Sequence, residues 1–274
     1  MRLILSRKGF DSSSAFGGCA SPILPDGQMI SLPIPHSEAR VAYSGVQPCG
    51  LDIAHIVADL TRGRVTGDAL AHLDPDLERT ARSRQPGWTP AFGQASAAQS
   101  HLENNGVGTD DLFLFFGWFR EVEFMHGHYR YRRNAPDLHV LFGWLRVGQV
   151  LRLGPDPIPD WLRDHPHAVR DCWPQNTVYV AKGPEGGGVV STFDAKLVLT
   201  EPGRSRSVWL LPADFMPRSR PPLTYHRSRW RWTKTKEGCR LLSVSKGQEF
   251  VLGLVPYPEV HRWAEAIVLG AACS

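Results

Sequence analysis

"DLFLFFGWFREV" (residues 111–122) and "DLHVLFGWLRVG" (residues 137–148) are near repeats of one another, and their reading decides the fold. Each is an unbroken apolar run of strand length with one central glycine. A strand with one wet face alternates apolar and polar residues, whereas a run without alternation needs cover on both sides. Both segments are therefore expected to be core strands, bending at Gly117 or Gly143. The sequence between them, "EFMHGHYRYRRN", alternates and turns at Gly127, which predicts a meander of strands able to curl toward a barrel.

Working outward, "LIL" at Leu3–Leu5, "NTVYVAK", "AKLVLT", "CRLLSVS" and "QEFVLGLV" read as further strands. Pro25-Asp26-Gly27 is a turn between two short extended pieces and predicts a hairpin. Leu51, Ile53, Ile56, Val57 and Leu60 form a helical stripe, "AAQSHLENNG" reads as a short helix stopped by glycine, and "YPEVHRWAEAIVLGAA" has a proline near a helix start. "GPEGGGVV" reads as a mobile loop. The expectation is an α+β protein: a β-rich mixed or antiparallel sheet curling toward a small barrel, PUA-like in outline, with a few peripheral helices, in a single domain over residues 1–274.

Composition narrows the class. With 274 residues, 42% hydrophobic and 21% charged, the chain can bury a substantial core. No window approaches eighteen uninterrupted apolar residues and the N-terminal run is too short for a signal peptide, so a cytoplasmic protein without a membrane partner is expected. Five cysteines are scattered without a C-x-x-C pair, which argues against a disulfide framework or a sulfur-rich zinc site. A net charge of +4 is compatible with a polyanionic partner, and nine tryptophans supply stacking area. The G-x-S-x-G elbow, the P-loop and the G-x-G-x-x-G turn are all missing, which removes support from three large enzyme classes.

Polar residues gather in several places. In "LILSRKGFDSSS" a strand end delivers Arg7 and Lys8, suited to phosphate, and then Asp11 and Ser12, which either serve a reaction as base and hydroxyl or cap a turn. "FGQASAAQSHLENNG" supplies Gln94 and Gln99, amides suited to a base edge, and His101, able to move a proton near neutral pH; surface amides and a helix cap are the alternative. His165 and His167 in "DHPHAV" point the same way if extended, with His139 or Asp164 to complete a site, but no metal is assigned because no zinc spacing is present. "SKGQEFV" carries Lys246, Gln248 and Glu249, either a pocket mouth or a surface ion pair. "GRSRSVW" offers Arg204 as part of an anion-holding turn, and "LTYH" brings Tyr225 and His226. Residues 217–231, "PRSRPPLTYHRSRWR", are the most basic stretch, either a phosphate-facing edge or a solvated loop. Phe116, Trp118 and Trp144 are candidate walls for an extruded base, or core.

In order along the chain, "LSRKGFDSS", "SPILPDG", "SLPIP", "HLDPD", "FGQASAAQSHLENNGVG", "DLFLFFGWF", "APDLHVLFGWLRVG", "HPHAV", "LVLTEPGRSRSVWLLP" and "SKGQEFV" resemble the third of the nucleotide modification associated domain families, from Leu3 to about Val251. The resemblance implies modification of a base or nucleotide, with a nucleotide or nucleic acid as partner and DNA favoured over RNA. It names no cofactor. Carried onto this sequence, it implies Asp11, His101, Lys246 and Glu249 as catalytic groups, and Arg7, Lys8, Ser12, Gln94, Gln99, His165, His167, Arg204 and Gln248 as substrate-binding ones. A non-catalytic reader of a modified or flipped base, and an enzyme of free nucleosides, are the rival expectations.

Overall fold

A computed structural model describes residues 1–10, 18–169, 173–245 and 247–272. Among these are fourteen strands: β1 (Arg2–Arg7), β2 (Ser21–Ile23), β3 (Ile34–Pro35), β4 (Ala71–His72), β5 (Ala91–Gln94), β6 (Leu112–Met125), β7 (His128–Tyr131), β8 (Leu138–Arg152), β9 (Thr177–Ala181), β10 (Gly187–Val189), β11 (Val208–Leu211), β12 (Trp232–Lys234), β13 (Cys239–Leu242) and β14 (Glu249–Gly253). Four α-helices accompany them: α1 (Ile53–Leu60), α2 (Ser96–Asn104), α3 (Pro166–Val169) and α4 (Pro258–Ala272). The protein is α+β, and its large sheet is mixed. The order is β14-β1-β6-β8-β9-β5, with β1 and β6 parallel and the other pairs along this path antiparallel.

The repeated apolar runs, β6 and β8, are the centre of this sheet and pair with each other. Their first halves are buried almost without interruption, which is why neither alternates. The second half of β6 leaves β8 and pairs instead with β7 through the turn at His126-Gly127. The bend sits beside Gly143: Phe115 opposes Gly143 and Phe116 opposes Leu141, so Phe142 is an extra residue in β8. A second extra residue, Gly148, separates the pairs Val147–Ala181 and Gln149–Val180. Bulges raise local twist, and two of them in one central strand curl the sheet.

The curl is measurable. Laid flat, the five strand spacings between β14 and β5 would put these edges about 24 Å apart. Yet Gln94, the last residue of β5, donates from Nε2 to Oε1 of Glu249, the first residue of β14, at 2.7 Å. The sheet does curl, but among the described residues it forms no closed barrel: its edges meet through side chains instead of a backbone ladder. The concave face carries Phe92, Phe113, Phe115 and Tyr179, whose ring centroids lie 5.1 to 5.9 Å apart. All four are fully buried, each contributing about 1.5–3 kcal/mol.

Several local expectations need correction. "AKLVLT" is not a strand; a 3-10 turn over Ala195–Leu197 is followed by single bridges at Val198 and Thr200, because Asp194 caps the turn through the Lys196 amide. "GPEGGGVV" is not merely a loop, since its end forms β10 against Trp144, where small residues let the chain pass close to that side chain. The Pro25-Asp26-Gly27 turn closes only one antiparallel bridge, Ile23 to Met29, because β2 pairs in parallel with β6. Phe116 and Trp144 are core residues. Among the described residues, no helix is long and apolar enough to cross a membrane.

Candidate active site

Strand register builds the first half of the site. β1 and β14 pair so that Ser6 faces Glu249 directly, which places both side chains on the concave face. Lys8, two residues beyond Ser6, falls on that same face, and its backbone amide is fixed by the carbonyl of Phe116. Lys8 Nζ donates to Glu249 Oε1 at 2.8 Å and lies 4.4 Å above the Phe92 ring. Gln94 donates to the same carboxylate oxygen from the opposite edge. The Lys8 side chain is 8% exposed and that of Glu249 is 1% exposed. The other carboxylate oxygen, Oε2, is buried and has no hydrogen-bond partner among the described residues, and neither has the Ser6 hydroxyl across the ladder. Buried polar atoms are nearly always satisfied, so two unsatisfied ones on paired residues make this seam the candidate site.

Neighbouring residues finish the rim. Gln99 is buried in α2, where it accepts from the Tyr179 hydroxyl at 3.1 Å and donates to Glu103. Burial pushes the Tyr179 phenol up and keeps it a donor. The Thr224 hydroxyl accepts the Val251 amide and shares a hydrogen bond with His101 Nε2 at 3.0 Å. Burial lowers the His101 pKa despite the nearby Glu249. Its ring lies 4.5 Å from that of Tyr225, which is 46% exposed and forms an aromatic lip. Arg7 donates to the carbonyls of Ser245 and Gly247, tying that turn to the end of β1.

The second half lies along the free edge of β5. Asp76 pairs its backbone with Ala91, and two residues on the Asp74 carboxylate replaces a further strand by accepting the Gly93 amide at 2.7 Å. Asp76 is itself pinned by a bidentate Arg84, with Nη1 to Oδ2 at 2.6 Å and Nη2 to Oδ1 at 2.7 Å. Asp74 faces two imidazoles: His165 Nε2 is 3.5 Å from Oδ1 and His167 Nε2 is 3.6 Å from Oδ2. His167 Nδ1 donates to Asn176 Oδ1 at 2.7 Å, because the Asn176 amide nitrogen is already committed to the His167 carbonyl. His165 Nδ1 accepts the His167 amide, which leaves Nε2 as the ring atom turned to Asp74 Oδ1. The His72 ring lies 5.8 Å from that of His167. Gly93 is required here, because a Cβ would overlap the His167 ring.

Charge in this cluster is set by burial and crowding. Burial drives His72 and His167 down to about 4, although Asp74 opposes the shift. For Asp74 burial acts in the raising direction, but His165, His167 and His72 outweigh it and hold the carboxyl well below its usual range. The arrangement is an oriented carboxylate beside three buried or half-buried imidazoles, of which His72 and His167 are held neutral by burial. Gly93 and Gln94 are consecutive, so β5 holds the two halves together.

The structure thus brings Lys8, Gln94 and Glu249 into direct contact, sets His101 at their rim and places His165 and His167 beside the same strand. Gln99 supports Tyr179, Arg7 holds the 245–247 turn, and Gln248 is exposed with its backbone carbonyl on the Arg7 amide. Arg204 is elsewhere, in a surface groove with Trp118, Asp137 and Arg206. Asp11, Ser12 and Lys246 lie outside the described residues. His139 and Asp164 do not complete the histidine pair: His139 accepts from Trp209 at 3.0 Å and Asp164 pairs with Arg82. Asp74 takes that place, together with His72. Sequence reading passed over both, although "HLDPD" displays them. His226 is structural, bridging Thr224 and Val244, and Arg220 of the basic stretch is spent on the carbonyls of Asp214, Met216 and Pro256.

A curled mixed sheet whose seam holds buried ionisable groups defines an α+β protein with a polar centre built between sheet edges. The chain belongs to the nucleotide modification associated domain 3 family, whose model matches residues 2–253. No curated protein and no solved structure matches it.

Proposed function

We propose that this protein is an enzyme that modifies a base or nucleotide by group transfer or glycosidic exchange with acid/base catalysis, DNA being the favoured polymer. The family association with nucleotide modification gives the substrate class. The observation that carries the catalytic reading is the half-satisfied Glu249 carboxylate, with one oxygen fixed by Lys8 and Gln94 and the other buried, on the residue opposite Ser6, without a partner among the described residues. A fixed carboxylate with a free oxygen is suited to take the proton of an attacking nucleophile. The exposed Tyr225 ring, backed by His101, offers a face on which a base stacks. Asp11 and Lys246 enter this proposal from the family motifs alone.

The test is mass spectrometry of nucleosides from DNA, RNA and the free pool of cells producing the wild type or Glu249→Gln. A new mass that depends on the wild type and is lost in the variant is expected, and the pool containing it identifies the substrate. No new mass in any pool overturns the catalytic reading in favour of a base reader, and an undiminished one in Glu249→Gln removes Glu249 from the mechanism.

A further inference from the structure

Away from the sheet seam, α1 and the β6–β7 hairpin meet at three side chains that the proposed function does not use. His55 and Asp59 are one helical turn apart on α1, so they share a face. His128 is the first residue of β7. The two-residue turn before it, His126 and Gly127, has φ of +53° and +83°, the left-handed pair that suits a tight hairpin, and it pairs His128 with Met125. The result is convergence: His55 Nε2 is 3.1 Å from Asp59 Oδ2, His128 Nδ1 is 2.9 Å from Asp59 Oδ1, and one ligand atom from each residue lies within 4.8 Å of the others.

We infer that His55, Asp59 and His128 form a binding site for a divalent transition cation of the zinc class, clipping α1 to the hairpin. Two imidazoles and a carboxylate are the donor set that borderline first-row cations prefer, whereas magnesium and calcium favour oxygen. Tetrahedral ligands about 2.05 Å from zinc stand about 3.3 Å from each other. The two histidine-to-carboxylate distances need open by only a few tenths of an ångström, and all three ligand atoms already lie within 4.8 Å of one another. The surroundings are those of a held ligand set: the Tyr129 amide donates to Asp59 Oδ2 at 2.7 Å, and the rings of Tyr129 and Phe124 meet His55 edge-on at 5.6 and 6.4 Å. Such outer contacts orient first ligands. Burial raises the Asp59 pKa, but the Tyr129 amide and the two histidines outweigh it, and the carboxylate stays charged. His128 is 72% exposed, which leaves the remaining coordination positions open to water.

The test uses the untagged full-length protein, stripped with chelator and titrated calorimetrically with zinc chloride, with melting temperature as a second readout. The wild type should bind one more equivalent than His128→Ala or Asp59→Asn, and zinc should raise its Tm more than it raises theirs. His167→Asn should keep that equivalent, which separates this site from the buried histidines. Magnesium should produce no shift. Equal stoichiometry and equal zinc-dependent Tm shifts in the wild type and both variants, or no binding by the wild type, overturns the inference. A variant that fails to fold is replaced by His55→Gln, to which the same criteria apply. The outcome is independent of the nucleoside assay.

Discussion

Removing the cation from the seam by Lys8→Met is the most direct perturbation of the proposed centre. The ammonium lies 2.8 Å from a carboxylate oxygen, and both side chains are at most 8% exposed. At an effective dielectric of about 20 their attraction is about 6 kcal/mol before desolvation is subtracted. Truncating one partner of a buried pair leaves the other charge stranded, at a cost of about 3–5 kcal/mol. Contact with Phe92 adds about 0.5–1 kcal/mol. Lys8→Met is therefore expected to lower unfolding free energy by about 3–5 kcal/mol, read as an earlier urea midpoint at unchanged slope. The double variant Lys8→Met/Glu249→Gln has no stranded charge, because the neutral amide can still accept from Gln94. It should recover at least about 2 kcal/mol, and the cycle should show coupling of that size. A loss below about 1 kcal/mol in Lys8→Met, or strict additivity in the double variant, would refute a tightly coupled buried pair.

Two further outcomes follow from the geometry. His72, His167 and His226 are each lowered from 6.5 to about 4, so the unfolded chain binds these protons first; stability is complete above pH 6.5 and drains as pH falls toward 4, by at most about 3 kcal/mol per histidine. Denaturant midpoints across that window should show the loss, with a shallower slope in His226→Asn; a flat profile would contradict the neutral, buried imidazoles. Gly93→Ala inserts a methyl into the His167 ring and should cost about 1–3 kcal/mol and most of any modifying activity, whereas Gly253→Ala, which meets nothing within 4 Å, should be silent in calorimetry and in turnover. Equal behaviour of the two alanine variants would mean that His167 moves aside freely.

The strands and helices were largely legible because their signals are local. The unalternating runs at Leu112 and Leu138 need cover on both faces wherever they occur, and the stripe from Ile53 to Leu60 has one dry side in any context. The curl was legible only as a tendency. Its cause is a pair of extra residues, Phe142 and Gly148, and an extra residue exists only relative to a partner strand that the sequence does not name. Lys8, Gln94 and Glu249 could each be singled out as polar residues at strand ends, but their meeting depends on how far the sheet bends. Asp74 was harder to see. In "HLDPD" its sequence neighbours explain it as a turn residue; its actual role, accepting an edge amide of β5 and facing His165 and His167, is fixed by a strand nearly twenty residues later.

That dependence also explains why the polar groups lie where they do. A sheet that curls without closing leaves two edges facing each other, and unpaired edge amides and carbonyls must be satisfied. Here the edge of β5 is met by a carboxylate and its end by a cross-seam amide, so the solution to the edge problem places Asp74 and Glu249 on either side of one short strand. A closed barrel would have filled the same positions with backbone pairs. The unclosed seam exchanges ladder hydrogen bonds for ionisable side chains held in a dry setting, the condition under which a carboxylate or an imidazole can be tuned for proton transfer. If Glu249 were only an edge satisfier, each of its oxygens would have a partner within the fold. Among the described residues Glu249 Oε2 has none, and that surplus bonding position is what the proposed catalytic reading rests on.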